Sequence, residues 1–94
     1  LKIIWTNSAL SSFSEIIDFL EITWGEKYIQ EFYLLTENTI SQIQENPFQF
    51  KASQKHPLIR KGFIHKNVSI FYRVSEQLSQ IELLYFQDNR SKEK

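Results

Sequence analysis

The residues able to do chemistry are concentrated in one stretch, 51–75, KASQKHPLIRKGFIHKNVSIFYRVS. It holds Lys51, Lys55, Arg60, Lys61, Lys66 and Arg73, with His56 and His65, and it holds no Asp or Glu. Six formal positive charges without a carboxylate among them create a local field that favours an anionic partner. The two histidines lack the spacing to a carboxylate or Cys that a metal site uses, and they read as surface residues. The chain has no Cys, which excludes thiolate ligation and disulfides. Gly25 and Gly62 are its only glycines, so no Gly-rich loop is available to cradle a nucleotide phosphate. Neither a cofactor nor a metal is expected.

The whole chain is electrically balanced, and the balance conceals a division. Residues 1–50 set two lysines against seven carboxylates, a net of −5; residues 51–94 set nine Lys and Arg against four carboxylates, a net of +5. Either the halves attract each other within the fold, or one of them meets an anionic partner. Ninety-four residues make one domain, 1–94, with a polar tail over 87–94 expected to fray after Arg90. The 41% hydrophobic and 15% aromatic content suffices for a packed core and argues against disorder. No apolar run approaches the ~20 residues of a membrane span, and no signal-peptide pattern opens the chain. A membrane role is not expected, and a reducing, cytoplasmic setting is. The chain opens at Leu1 and has no Met, which leaves room for an initiator or short tag ahead of it.

The elements that must position the basic groups follow from periodicity. Lys2–Trp5 is a β-branched and aromatic strand candidate. Any of Thr6, Asn7 and Ser8 can cap the helix that Ala9, Leu10, Phe13, Ile16, Ile17 and Leu20 predict by their three- and four-residue spacing. Gly25 breaks it near Ile22–Trp24. A second helix is expected over 26–45, burying Ile29, Phe32, Tyr33, Ile40 and Ile43, widened by Tyr28 and Leu35. Asn46-Pro47 stops it, because the residue before proline is pushed out of the helical region. After a loop over 48–57 come three strands, about 58–65, 68–75 and 78–86, with Asn67 available for a left-handed position in the first turn. Residues 81–86 are apolar on both faces and belong centrally in the sheet.

The order β-α-α-β-β-β makes an α+β domain: a helical hairpin packed on one face of a mostly antiparallel sheet. Phe13, Ile17, Phe32, Ile43, Tyr72 and Leu83 are its expected core. Val68, Ile70, Tyr72 and Val74 belong on the helix side, and Phe71 and Arg73 on the open face. The alternation in 58–65 leaves its buried side ambiguous; Arg60 is assigned to the open face beside Arg73.

In this order the sequence resembles the RelE/ParE superfamily of type II toxin–antitoxin toxins. The marks are Trp5 followed by Ala9 and Ile16-Ile17-Asp18-Phe19-Leu20, then Trp24, the Asn46-Pro47 stop and Arg60. Ile70-Phe71-Tyr72-Arg73-Val74 and the ending Phe86-Gln87-Asp88-Asn89-Arg90 complete them. The resemblance covers Ile3 to Arg90. It implies an antitoxin encoded beside the gene, a possible homodimer or toxin–antitoxin hetero-oligomer, and a plasmid-stabilisation type of role. It also implies one of two activities. RelE-like members cut messenger RNA in the ribosomal A site; ParE-like members inhibit DNA gyrase without being nucleases.

A metal-independent nuclease needs a base for the 2′-hydroxyl, cations for the phosphate and an acid for the leaving oxygen. The family's loop lysines fall by position on Lys51 and Lys55, and its hairpin arginine on Arg60, with Arg73 and Tyr85 available for phosphate contact or proton transfer. The chain departs from the RelE-like pattern in its near-neutral pI and in ending Asp88-Asn89-Arg90 where one nuclease branch has His-Tyr. The ParE-like reading makes no catalytic demand and is preferred. Lys51, Lys55, Arg60, Lys61, Arg73, Asp88 and Arg90 are then expected to bind target or antitoxin. An Asp88 pairing with Arg60 or Arg90 is the structural alternative. A solved fold distinguishes these options for each residue.

Overall fold

A computed structural model describes residues 1–92. A short strand, β1 (Lys2–Trp5), leads into α1 (Asn7–Thr23) and α2 (Glu26–Glu45), and a hairpin-rich second half follows: β2 (Arg60–His65), β3 (Val68–Ser75) and β4 (Gln80–Asp88). Of the three capping candidates, Thr6 performs the role. Its hydroxyl accepts from the Ala9 amide at 3.1 Å and donates to the Leu83 carbonyl at 2.7 Å, joining the helix start to the sheet. Gly25 separates the helices with φ of 95°, a left-handed value that a side chain would resist. The second helix stops at Asn46-Pro47, as the sequence predicts.

The sheet order is β1-β4-β3-β2. β4 is central, parallel to β1 and antiparallel to β3, which is consistent with its apolar character on both faces. The strands start later than the hydrophobic pattern suggests. Leu58 and Leu78 are exposed in turns, so β2 begins at Arg60 and β4 at Gln80. β4 also runs on through Gln87 and Asp88, and a 3₁₀ turn occupies Asn89–Lys92; Glu93 and Lys94 lie outside the described residues. Among the described residues the only non-glycine with positive φ is Ser79, at 52°; the left-handed turn position falls there and not at Asn67.

Both helices pack on one sheet face. Ile16, Phe32, Ile43, Ile64, Val68, Ile70, Tyr72, Ile81, Leu83 and Phe86 form the buried cluster, with Phe13 and Ile17 partly buried against it. The outer side of α2 differs from the periodicity reading: Tyr28, Tyr33 and Leu35 are exposed, while Thr36 and Thr39 are buried. Thr36 survives burial because its hydroxyl donates to the Phe32 carbonyl at 2.8 Å, leaving no orphan polar group. Trp5, Phe13 and Phe86 form an aromatic cluster with ring centroids 5.1–5.5 Å apart at the α1–β4 junction.

Candidate functional site

The open face of the sheet is built from alternate residues of three strands. Lys61 lies opposite Phe71, which lies opposite Tyr85, so these three share one face, with Phe63 and Gln87 at its margin. The Phe71 and Tyr85 rings are stacked, 4.5 Å apart and 14° from parallel. Lys61 reaches over Phe63 and Phe71, with Nζ 5.6 and 5.7 Å from the ring centroids. A bulge places two residues, Leu84 and Tyr85, in the space of one on β4. That irregularity turns Tyr85 onto the open face between buried Leu83 and buried Phe86.

The segment before β2 closes this surface into a pocket. Ala52 bridges to Arg60, the Lys61 amide donates to the Lys51 carbonyl at 3.2 Å, and the Ser53 amide to the Ile59 carbonyl at 2.6 Å. The backbone of 51–53 therefore covers the edge of β2, and the rest of the loop arches forward. Lys51, Lys55, His56 and Lys61 line the resulting cavity of about 670 Å³, with Phe63, Phe71, Tyr85 and Gln87. No carboxylate is among the lining residues. A cationic rim over flat rings suits an anionic group attached to something planar or apolar.

Arg60 is not part of that pocket. It lies opposite Tyr72, on the helix side of the sheet, so its assignment to the open face is overturned by the register. Its Nη1 donates to the Phe50 carbonyl at 2.7 Å and its guanidinium covers the Phe48 ring at 4.7 Å. The Tyr72 hydroxyl donates to the Pro47 carbonyl, also at 2.7 Å. Burial pushes the Tyr72 phenol above its ordinary pKa, while the Arg60 charge and the Phe50 backbone pull the other way. Gly62 makes room for this arrangement: a Cβ there would lie 3.0 Å from the Phe50 ring. Arg60, Gly62 and Tyr72 together pin the chain between α2 and β2 against the back of the sheet.

Arg73 is on the open face, as read from the alternation, but outside the pocket lining. Its Nε donates to Glu82 Oε1 at 2.8 Å and its Nη2 bonds the same oxygen. Asp88 and Arg90 pair with each other at 3.2 Å, and Arg90 also covers the Phe19 ring at 5.2 Å; Arg60 takes no part. The continuous basic stretch of the sequence is thus divided among a structural arginine, an ion-paired arginine and a true cluster of Lys51, Lys55 and Lys61. Sequence reasoning missed Phe63, Phe71, His56 and Gln87 as lining residues. The matching alternation of Lys61/Phe63 with Ser69/Phe71 and Tyr85/Gln87 was the available signal. Among the described residues no group of three His, Cys, Asp or Glu is placed to hold a metal ion, and no helix is long and apolar enough to cross a membrane.

Solved structures share this architecture. The fold superposes on a chromosomal ParDE toxin–antitoxin system from P. aeruginosa with a TM-score of 0.77 at 17% identity, covering 94% of this chain and 95% of that one. A YoeB/ParE toxin from Agrobacterium tumefaciens matches with a TM-score of 0.67 at 16% identity, over 94% and 98% of the two chains. A copper-bound mutant toxin from Helicobacter pylori gives 0.64 at 18% identity, over 97% of each. No protein-family model matches the chain, and no curated protein matches it. The chain shares its fold with these solved ParDE and YoeB/ParE structures.

Proposed function

We propose that this chain is the toxin of a type II toxin–antitoxin pair, and that it acts in the ParE manner, by binding a DNA-processing target such as gyrase. The near-complete overlap with toxin structures supports the first part. The observation that carries the second is the disposition of the arginines. Arginine is the cation that grips a phosphate in planar, bidentate fashion. Arg60 is committed to the Phe50 carbonyl behind the sheet and Arg73 to Glu82 beside the pocket. What the pocket offers is three lysines and a floor of rings, a surface that grips an anionic patch without requiring a reaction. An antitoxin encoded beside the gene restrains the toxin by covering this open face with an acidic segment, and the pair acts in the cytoplasm, in a hetero-oligomer that stabilises the replicon carrying it.

One observation favours the RelE-like alternative. Lys51, Lys55, His56, Lys61 and Tyr85 share one pocket, and a lysine cluster with a phenol and an imidazole could stabilise charge and move protons. The two readings separate in a pair of assays on the purified protein. The ParE-like reading expects inhibition of gyrase supercoiling and intact ribosome-bound message. Cleavage of the message with supercoiling unaffected would overturn it in favour of the nuclease. Inactivity in both, with no growth arrest on induction, would overturn the toxin assignment itself.

A further inference from the structure

A second concave surface borders the lysine pocket, and one ring separates the two. The register sets Lys61, Phe71 and Tyr85 side by side across β2, β3 and β4. Past Leu83, where the pairing with β1 ends, the edge of β4 meets the start of α1. Ser12 holds them together, its hydroxyl accepting from the Phe86 amide at 2.8 Å. Phe71 covers one face of the Tyr85 ring. On the side toward α1, Tyr85 lines a cavity of about 420 Å³ with Asn7, Ser8, Ser11, Ser12 and Glu15. Tyr85 is thus the shared wall of two pockets of different character. One carries three lysines and no carboxylate; the other carries hydroxyls, an amide and a single carboxylate.

The combination fits a ligand with a flat, hydrogen-bonding head and an anionic tail. The face of Tyr85 turned away from Phe71 offers a stack for a heterocyclic base. Asn7, Ser8 and Ser11 are exposed and can bond a sugar or a base edge, and Glu15 can accept from an exocyclic amino group. The tail must then cross to the lysines. Tyr85 and Lys61 stand two strands apart, roughly 10 Å, a span that two or three linked phosphates bridge and a single phosphate does not. Charge also decides between a free nucleotide and a strand. A groove for single strands tracks the backbone with cations along its length. Here Lys51, Lys55 and Lys61 converge at one end, and at the other Glu15 would repel a continuing phosphate. We propose that the open face binds a free nucleoside di- or triphosphate. Its base stacks on Tyr85 in the serine-lined pocket, and its terminal phosphates lie among Lys51, Lys55 and Lys61. The lysines take the place of the Gly-rich loop that the chain lacks. The site shares these lysines with the target-binding reading but does not depend on which target the chain has.

The test is a calorimetric titration of the full chain with ATP, inorganic tripolyphosphate and a short single-stranded oligodeoxyadenylate, with amide chemical shifts recorded alongside. ATP should bind saturably at one per chain, at least about tenfold more tightly than tripolyphosphate, the contribution of one base–ring stack. Its shifts should include Ser8, Ser11 and Tyr85 as well as Lys61, whereas those of tripolyphosphate should stop at the lysine pocket. Tyr85→Ala should reduce ATP affinity to about that of tripolyphosphate and leave tripolyphosphate within about twofold of wild type. Tyr85→Phe keeps the ring and should retain ATP binding. Tyr85 is exposed and outside the buried cluster, so circular dichroism should show unchanged folds. Lys55→Gln, also at an exposed position, should weaken both ligands together, most at low salt. Equal affinity for ATP and tripolyphosphate would mean an adventitious ion only and would overturn the proposal, as would indifference to Tyr85→Ala. Tighter binding of the oligonucleotide than of ATP would overturn it too, giving the face to a nucleic-acid strand. No target is present in these titrations, so their failure leaves the toxin reading standing, and a failure of gyrase inhibition leaves the nucleotide site standing.

Discussion

Replacing Arg60 by Ala separates a structural from a catalytic arginine, and the structure sets the size of the effect. Two interactions disappear: the 2.7 Å bond from Nη1 to the Phe50 carbonyl and the stacking of the guanidinium over Phe48. A hydrogen bond from a charged donor contributes about 1.5–3 kcal/mol, and a cation–π contact at a partly exposed site about 0.5–1 kcal/mol. Arg60 is only half-buried, so the lower part of each range applies and the loss is about 2–3 kcal/mol. In a domain of this length that lowers Tm by about 10–15 °C. Arg73→Ala is the internal control. It removes an exposed ion pair that contributes about 0–1 kcal/mol, so Tm should fall by about 5 °C at most. Thermal melts followed by circular dichroism read both values, and the folded fraction of Arg60→Ala at low temperature should keep its activity. If Arg60→Ala melts within about 2 °C of wild type yet is inactive, Arg60 works in the site and its structural assignment is refuted.

Three further outcomes follow from the packing. Phe32→Ala should cost about 3–5 kcal/mol in urea unfolding, because the ring is buried against Phe13. Thr6→Ala should cost about 1–2 kcal/mol, since one hydroxyl both caps α1 and bonds the Leu83 carbonyl. Tyr72 has its pKa raised in the folded state, so its contribution is complete below about pH 10 and is lost as pH climbs through the folded-state value. Tyr72→Phe should therefore be less stable at neutral pH, through loss of the Pro47 bond, yet show a shallower decline in stability above pH ~10 in an alkaline unfolding series.

The helices were legible in the sequence because their limits are set locally. Gly25 supplies a backbone angle other residues resist, and Asn46-Pro47 forbids continuation, so α2 has the span that the pattern gives it. The rotation of α2 was not legible: burial there follows the hairpin's packing on the sheet, which prefers self-bonded Thr36 to the larger Tyr33. The faces of β3 were readable from strict alternation. Arg60 was misplaced because β2 carries apolar and basic residues on both sides, and only its pairing with Tyr72 decides between them. Bulges compounded the difficulty. They shift register between Phe63 and His65 in β2 and between Tyr72 and Phe71 opposite β4, so counting by twos along either strand fails midway. Lys51 and Lys55 were legible as candidates, but their convergence with Lys61 depends on the loop folding back on the β2 edge, a long-range event with no local signature.

The central claim is that the function resides in the Lys51, Lys55 and Lys61 cluster on the open face and not in the arginines. It is tested most directly by a gyrase supercoiling titration of wild type against the Lys51→Glu, Lys55→Glu, Lys61→Glu triple variant. All three side chains border the pocket and none belongs to the buried cluster, so the variant should fold. Wild type should inhibit supercoiling, and the variant should need at least about a hundredfold more protein for the same inhibition, since losing a few charged contacts at about 1 kcal/mol each is magnified by reversing their sign. A correctly folded triple variant that inhibits as well as wild type would contradict the account.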